Sequence, residues 1–168
     1  MGIIYYKGIK VKKNLSVAMS YFKKASLYGD IKAKYNIATI YSLKQYKYHD
    51  YKKGYTLFLE LAKLNHPKSQ FRVANMLIHG QGTQKDYKEA MRWLEIAYFE
   101  NKHKLSACSL AYLYANGLGT IQNLGRARKL SIDGYKNDIY LCKNVYEDFK
   151  LYKDKYKEDK GFKYGYYR

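Results

Sequence analysis

The 168-residue chain carries a hydrophobic pattern that returns every 36 or 37 residues. Asn14, Asp50, Asp86 and Asn123 lie 36, 36 and 37 residues apart, and each opens an amphipathic segment. Behind them run columns of small or apolar residues: Ala18, Gly54, Ala90 and Ala127, then Tyr21, Leu57, Trp93 and Leu130, then Ala25, Leu61, Ala97 and Gly134. A second set precedes each opening residue. It starts with Gly2, Ala38, Ala74 and Ala111 and continues through Tyr5, Tyr41, Leu77 and Tyr114 to Gly8, Lys44, Gly80 and Gly117. Apolar positions recurring at three and four residues in both sets predict two helices per unit. One such unit cannot bury its own apolar face, so neighbouring units must stack into a continuous core.

Local signals place the boundaries. The periodic run Leu105 to Asn116 stops at Gly117-Leu118-Gly119-Thr120, and its predecessor stops at Gly80-Gln81-Gly82-Thr83, where glycine permits a left-handed helix cap. Asp86 is predicted to accept amide hydrogens at the next helix start, with Glu89 completing a capping box. Small residues at Ala74, Ala90, Ala111 and Ala127 let the paired helices approach, and Trp93 and Leu130 fill the space between layers. In the second unit Lys44-Gln45-Tyr46-Lys47-Tyr48-His49 replaces the glycine turn, which predicts the least regular loop. The first unit begins in mid-helix at Gly2, as in a piece of a longer array or a native terminus with a frayed first helix. The pattern divides the chain into about four units over residues 1–137, a terminal helix over 138–157 and a basic aromatic tail over 158–168. Asp138 is expected to cap the terminal helix through about Lys157, with Ile139, Leu141, Val145, Tyr146, Phe149 and Tyr152 as its apolar stripe.

The segments Gly2 to Val11, Gly80-Gln81-Gly82-Thr83 with Asp86, Tyr87, Ala90 and Trp93, and Ala111 to Thr120 resemble the Sel1-like repeat, a relative of the tetratricopeptide repeat. The resemblance implies an all-α, right-handed α/α superhelix with a C-terminal capping helix, and adaptor work in bacterial assemblies, signalling or host interaction. If tetratricopeptide-like geometry transfers, the first helices line a concave face carrying Tyr6, Tyr35, Thr39, Phe71, Asn75, His79, Cys108 and Tyr112 as partner-binding residues. Tyr and Phe in such a row contribute large contact area at modest entropic cost. Tyr5, Tyr41 and Tyr114 are read instead as packing residues. Some cysteine-rich members of the resembled family pair thiols in each repeat and have been assigned penicillin-binding or β-lactamase activity. Here Ser26 and Lys34 stand at such positions, and no Lys-Thr-Gly is present.

Charge changes the picture next. Lys and Arg number 32 against 14 acids, a formal +18, but only five of the cations are Arg. The 22 Tyr and the preference for Lys over Arg follow A/T-rich codons, whereas the shortage of acids does not. The surplus is therefore read as attraction to acidic surfaces, with Lys32, Lys68 and Arg72 near the groove. Nucleic acid is one such surface, although phosphate and base recognition favours Arg and no nucleic-acid-binding fingerprint is present. No run approaches a membrane span of ~20 apolar residues, and the N-terminus is too short and polar for a signal peptide. Cytoplasm is the default location; a secretory segment lost from a truncated N-terminus would make the protein secreted or periplasmic.

Candidate chemistry is sparse. The two glycine turns lack the preceding strand and the third glycine or Walker lysine of a phosphate-binding loop. His66 and His103 occupy equivalent positions in successive units, too far apart to share a metal, while His49 and His79 lie in or beside turns. Cys108 has no periodically placed His to activate it, and two cysteines exclude both a disulfide-dense scaffold and a Cys-only zinc site. The sequence therefore predicts no catalysis, no cofactor and no metal. It predicts an interaction scaffold or adaptor that binds an acidic protein segment. Two alternatives remain open, an immunity or inhibitor protein for one cognate partner and a nucleic-acid-binding protein.

Overall fold

The computed structural model describes residues 1–136 and 140–152, with side chains in the first stretch through residue 132. Among these residues nine α-helices follow one another: α1 (Gly2–Lys7), α2 (Leu15–Leu27), α3 (Ile31–Tyr41), α4 (Tyr51–Lys63), α5 (Pro67–His79), α6 (Tyr87–Glu95), α7 (Lys104–Asn116), α8 (Leu124–Lys136) and α9 (Tyr140–Asp148). A π-helical stretch, Ile96–Glu100, continues α6. No strand occurs among the described residues. Each helix packs on the next, giving the all-α solenoid that the repeating pattern predicts.

The repeat period is held by two bonds that recur in every helix pair. Asn14, Asp50, Asp86 and Asn123 each cap a second helix, accepting from the amides of Val17, Lys53, Glu89 and Arg126 at 3.1, 3.0, 2.9 and 2.8 Å. The same four residues donate their own amides to the carbonyls of Tyr5, Tyr41, Leu77 and Tyr114 at 2.9, 2.8, 3.1 and 2.8 Å. Each capping residue thus ties the start of one helix to the end of its partner. This second bond also removes the expected capping box, because the Asp86 amide already has an acceptor. Glu89 turns instead to Arg92, 3.3 Å away.

α5 and α7 end on left-handed Gly80 and Gly117. The second glycine of each turn has the more exacting task. Gly82 (φ 74°) lies against the backbone of Tyr51, and Gly119 (φ 72°) against Tyr87, where a β-carbon would fall 2.8 Å from the Tyr87 carbonyl carbon. The turn of one pair therefore rests on the start of the preceding pair's second helix. α3 ends differently, on Ser42, whose hydroxyl donates to Ala38 O at 2.8 Å. Gly54 takes up the close approach there, with Ser42 Oγ where its β-carbon would stand.

The one-residue lengthening of the period after Asp86 has a visible cause. From Asn14 to Asp30 and from Asp50 to His66 the caps lie 16 residues apart, whereas from Asp86 to His103 they lie 17 apart. The additional residue is absorbed in the π-helical stretch, where Asn101 N reaches Ile96 O and His103 N reaches Ala97 O at 2.9 Å. Asn101 is thereby set against the fully buried Gln70, donating to its Oε1 at 3.0 Å, while Gln70 Nε2 donates to Ala62 O at 3.3 Å. A buried amide is satisfied on both sides.

Two linked cores result. One comprises Ala18, Met19, Phe22, Ala33, Ile37 and Ile40; the other runs from Ala38 and Phe58 through Leu94 and Leu110 to Val145 and Leu151, and Leu57 touches both. Tyr114 is buried as expected of a packing residue, whereas Tyr5 and Tyr41 are half-buried, Tyr5 stacking on Tyr21 at 5.9 Å.

The C-terminal end departs from expectation. The helix predicted through about Lys157 stops at Asp148, and a turn with left-handed Lys150 (φ 50°) swings Leu151 into the core. Leu141 and Tyr152 of the expected stripe are exposed; Cys142 and Val145 are the buried positions of α9. The expected tail, 158–168, lies outside the described residues.

Candidate functional site

The partner-binding residues expected from the sequence lie on α1, α3, α5 and α7. Tyr6, near the end of α1, is half-buried: its ring meets Phe22 and Tyr46 edge-on, each at 6.3 Å, and the Lys13 ammonium lies over Tyr6 and Tyr46 at 5.9 and 5.2 Å. Burial, together with a hydrogen bond to Tyr46, pushes the Tyr6 phenol up to about 12, against a pull from the charge of Arg72. Tyr6 is thus a neutral hydrogen-bonding group, close enough to α5 to sense its guanidinium.

Tyr35 continues the surface on α3. Its ring stands edge-on to the fully buried Phe58 at 5.4 Å and beside His66 at 5.3 Å, and its hydroxyl accepts from Arg72 Nε at 3.5 Å. Beyond Arg72 opens a recess of about 70 Å³ between α3 and α5, bordered by Thr39, Arg72 and Asn75 with Phe58, Met76 and Gln81. The Thr39 hydroxyl donates to Tyr35 O at 2.9 Å, and the Gln81 amide donates to the Tyr51 hydroxyl at 3.3 Å. Among the described residues, Asn75 makes no side-chain hydrogen bond and Arg72 has no carboxylate partner. Three expected residues, Tyr35, Thr39 and Asn75, therefore lie beside Arg72 across α3 and α5, and Tyr6 on α1 feels its charge.

A second cluster links α5 to α7. Phe71 packs against His103 at 5.1 Å. His66 and His103 stand at the N-caps of α5 and α7, with Nδ1 lying 2.8 Å from Ser69 Oγ and 3.0 Å from Ser106 Oγ. Burial, and then the nearby Lys68, hold both imidazoles below the ordinary histidine range. The serine–histidine pairs are not nucleophile and base, because Ser69 and Ser106 are completely buried within the first helical turn. The sequence also contains a Ser-x-x-Lys spacing at Ser20 to Lys23, on α2; the Ser20 hydroxyl donates to Val17 O.

The remaining three residues fare differently. His79 is exposed at the end of α5, and Tyr112 is 39% exposed on α7. Cys108 is a correction. It is fully buried and disulfide-bonded to Cys142, with Cα atoms 4.6 Å apart, and so offers no surface to a partner. α9 packs on α7 as well as on α8, and this covers the position that periodicity alone directed toward the face. Arg128 secures the same corner by donating from Nε to Leu151 O at 2.7 Å. Tyr46 and Gln81 were missed by sequence reasoning. For Tyr46 the available signal was an aromatic residue in place of the glycine turn, which folds back onto Tyr6 of α1.

Charge completes the geometry. None of α1, α3, α5 and α7 contains an Asp or Glu, whereas together they carry Lys7, Lys32, Lys34, Lys68, Arg72 and Lys104. Lys34 pairs with Glu60 of α4. Acids of the second helices include Glu60, Glu89 and Glu95, the last with its carboxyl held above the ordinary range by burial despite the nearby Arg126. No helix among the described residues is long and apolar enough to cross a membrane, and they contain no cluster of three metal-ligating side chains.

Comparison with known proteins agrees with this architecture. The family model for the Sel1 repeat matches residues 1–30, 67–98 and 105–131. Those segments hold the pairs α1/α2, α5/α6 and α7/α8; α3 and α4, whose turn lacks glycine, fall outside the matches. The chitin synthase regulator SKT5 of Saccharomyces cerevisiae is 33% identical over 87 residues, which are 52% of this chain and 12% of the yeast protein. Among solved structures, a Sel1 repeat protein from Oxalobacter formigenes superimposes with a TM-score of 0.74 at 26% identity, over 88% of this chain and 60% of that one. The protective antigen c5321 of uropathogenic Escherichia coli, described as having an SLR fold, gives 0.81 at 25% identity, over 92% and 33%. The chain thus spans a small part of the curated relative and a third to three-fifths of the two solved chains.

Proposed function

Because the chain belongs to the Sel1 repeat family, whose repeats generally mediate protein–protein interaction on a scaffold that is generally non-catalytic, we propose that it is an adaptor holding an acidic segment of a partner protein on a concave face formed by α1, α3, α5 and α7. The observation that carries this reading is the acid-free set of first helices, with aromatic rings set among cations. Long-range attraction brings an acidic chain to such a face, and Tyr35, Phe71 and Tyr112 offer contact area once it arrives. A partner neutralised by this protein would use the same surface. The buried disulfide supports an oxidising compartment over the cytoplasm, since such bonds persist where thiols are not kept reduced.

Association and dissociation rates with a captured partner separate the two contributions. Raising salt should slow association far more than it speeds dissociation. Replacing Tyr35, Phe71 and Tyr112 together by Ala should speed dissociation, each removing ~1 to 3 kcal/mol of contact. If the triple variant keeps its helicity and its affinity, the partner binds elsewhere. Steep salt dependence with a nucleic acid, and none with acidic peptides, would favour the nucleic-acid reading.

A further inference from the structure

We propose that the recess between α3 and α5 is a carboxylate seat, in which Arg72 and Asn75 grip a glutamate side chain of an extended protein segment passing across the first helices. The proposal rests on the adaptor reading above and adds the place where a partner's acid is held in register.

The recess is built for an acceptor. Arg72 spends only Nε, on the Tyr35 hydroxyl, and Tyr35 is itself wedged against buried Phe58, so the guanidinium is oriented while its two terminal nitrogens remain unspent. The Asn75 amide, on the same helix and bordering the same recess, is also unspent. The Thr39 and Ser42 hydroxyls have already given their hydrogens to Tyr35 O and Ala38 O. What the recess still offers is a planar donor fork and an amide, the complement of a carboxylate, which only accepts.

Size and surroundings narrow the occupant. About 70 Å³ admits a carboxylate with its adjoining methylenes and excludes a cofactor. Phe58 and Met76, both buried, supply an apolar lining suited to those methylenes. The acid-free helices extend on both sides of the recess, with Lys7 and Lys32 on α1 and α3 and Lys68 and Lys104 on α5 and α7. A segment that continues in both directions is therefore better matched than a chain end.

The test uses fluorescence anisotropy with the whole protein and three labelled octapeptides: alternating Glu and Leu with an amidated C-terminus, the Gln counterpart, and that Gln peptide with a free C-terminal carboxylate. The amidated Glu peptide should bind best. Arg72→Lys keeps the charge but loses the fork, and should weaken it about tenfold, whereas Lys104→Gln, which removes a charge away from the recess, should weaken it less. Asn75→Ala should also weaken it, and unchanged melting of each variant confirms the fold. If Arg72→Lys binds like the parent while Lys32→Gln and Lys104→Gln lose affinity, a diffuse field holds the peptide; the seat is then wrong and the adaptor face survives. If no first-helix substitution changes binding, the face itself is wrong. Equal or tighter binding of the Gln peptide with a free C-terminus would overturn the side-chain assignment.

Discussion

Breaking the Cys108–Cys142 bond should loosen the C-terminal end of the array by an amount set mainly by the length of chain it closes. The two cysteines are 34 residues apart, and a loop of that size restricts the unfolded chain by about 4 kcal/mol in the chain-entropy model. For a protein of this length each kcal/mol corresponds to roughly 2–4 °C, so reduction should lower the melting temperature by about 8–15 °C. Native contacts moderate the loss, since Val145 and Leu151 remain buried and Arg128 still reaches the Leu151 carbonyl. Far-UV circular dichroism melts of the same preparation with and without a phosphine reductant avoid the cavities that mutation would create. A Cys108→Ala/Cys142→Ala double variant should then be insensitive to the reductant. Hydrogen exchange should show α9 and the facing side of α7 losing protection first, because units in such an array interact only with their neighbours. Melting points within about 2 °C of each other, from a protein with no free thiol before reduction, would refute the claim that the tether carries this stability.

Two further outcomes follow from the caps and the turns. Because the folded His66 and His103 titrate below the ordinary value near 6.5, their contribution to stability is complete above that pH and declines as pH falls toward the folded values. Melting temperature should therefore drop as pH falls below about 6.5, and a His66→Asn/His103→Asn variant, which keeps a capping residue, should flatten that slope; an unchanged slope would remove the histidines as its source. At the turns, Gly29→Ala meets open space at φ 82° and should cost only the ~1 kcal/mol of a left-handed alanine, whereas Gly119→Ala also drives a β-carbon into the Tyr87 backbone and should cost about 2–3 kcal/mol in a urea melt. Equal costs would mean that the turn does not rest on the preceding helix pair.

The repeating fold was legible because each column position has one job. Asn14, Asp50, Asp86 and Asn123 are both acceptor and donor in bonds four times repeated, so only a narrow set of residues suits the position, and the spacing announces itself. What the sequence concealed depends on relations that no single period expresses. The residue added after Asp86 could have enlarged a loop; only the Gln70–Asn101 pair reveals why it became a π-helical stretch. The position of Cys108 was misread for a similar reason. Its place in the helical period points it toward the open face, but α9 comes from outside the regular pattern and packs there. The candidate face was legible in part. The geometry implied by the resemblance put Tyr35, Thr39 and Asn75 on one face, and they lie beside Arg72, but it did not select Gln81 or Tyr46, which come from loops.

Charge segregation changes what the overall +18 can mean. Codon bias acts on the whole chain and does not distinguish the first helix of a pair from the second, and the contrast begins at α4, since α2 also carries no acid. α1, α3, α5 and α7 hold 6, 11, 13 and 13 residues, and at the chain's frequency of 14 acids in 168 residues they would carry three or four. They carry none. Nor does packing demand this, since the exposed Lys32, Lys68, Arg72 and Lys104 leave no steric or solvation reason to exclude Glu, which forms helices about as readily as Lys. Helix propensity does not account for the exclusion, whereas the proposed acidic partner would select for it. On the proposed reading, the acid-free face meets a negatively charged partner at Arg72, whose guanidinium is held by the Tyr35 hydroxyl.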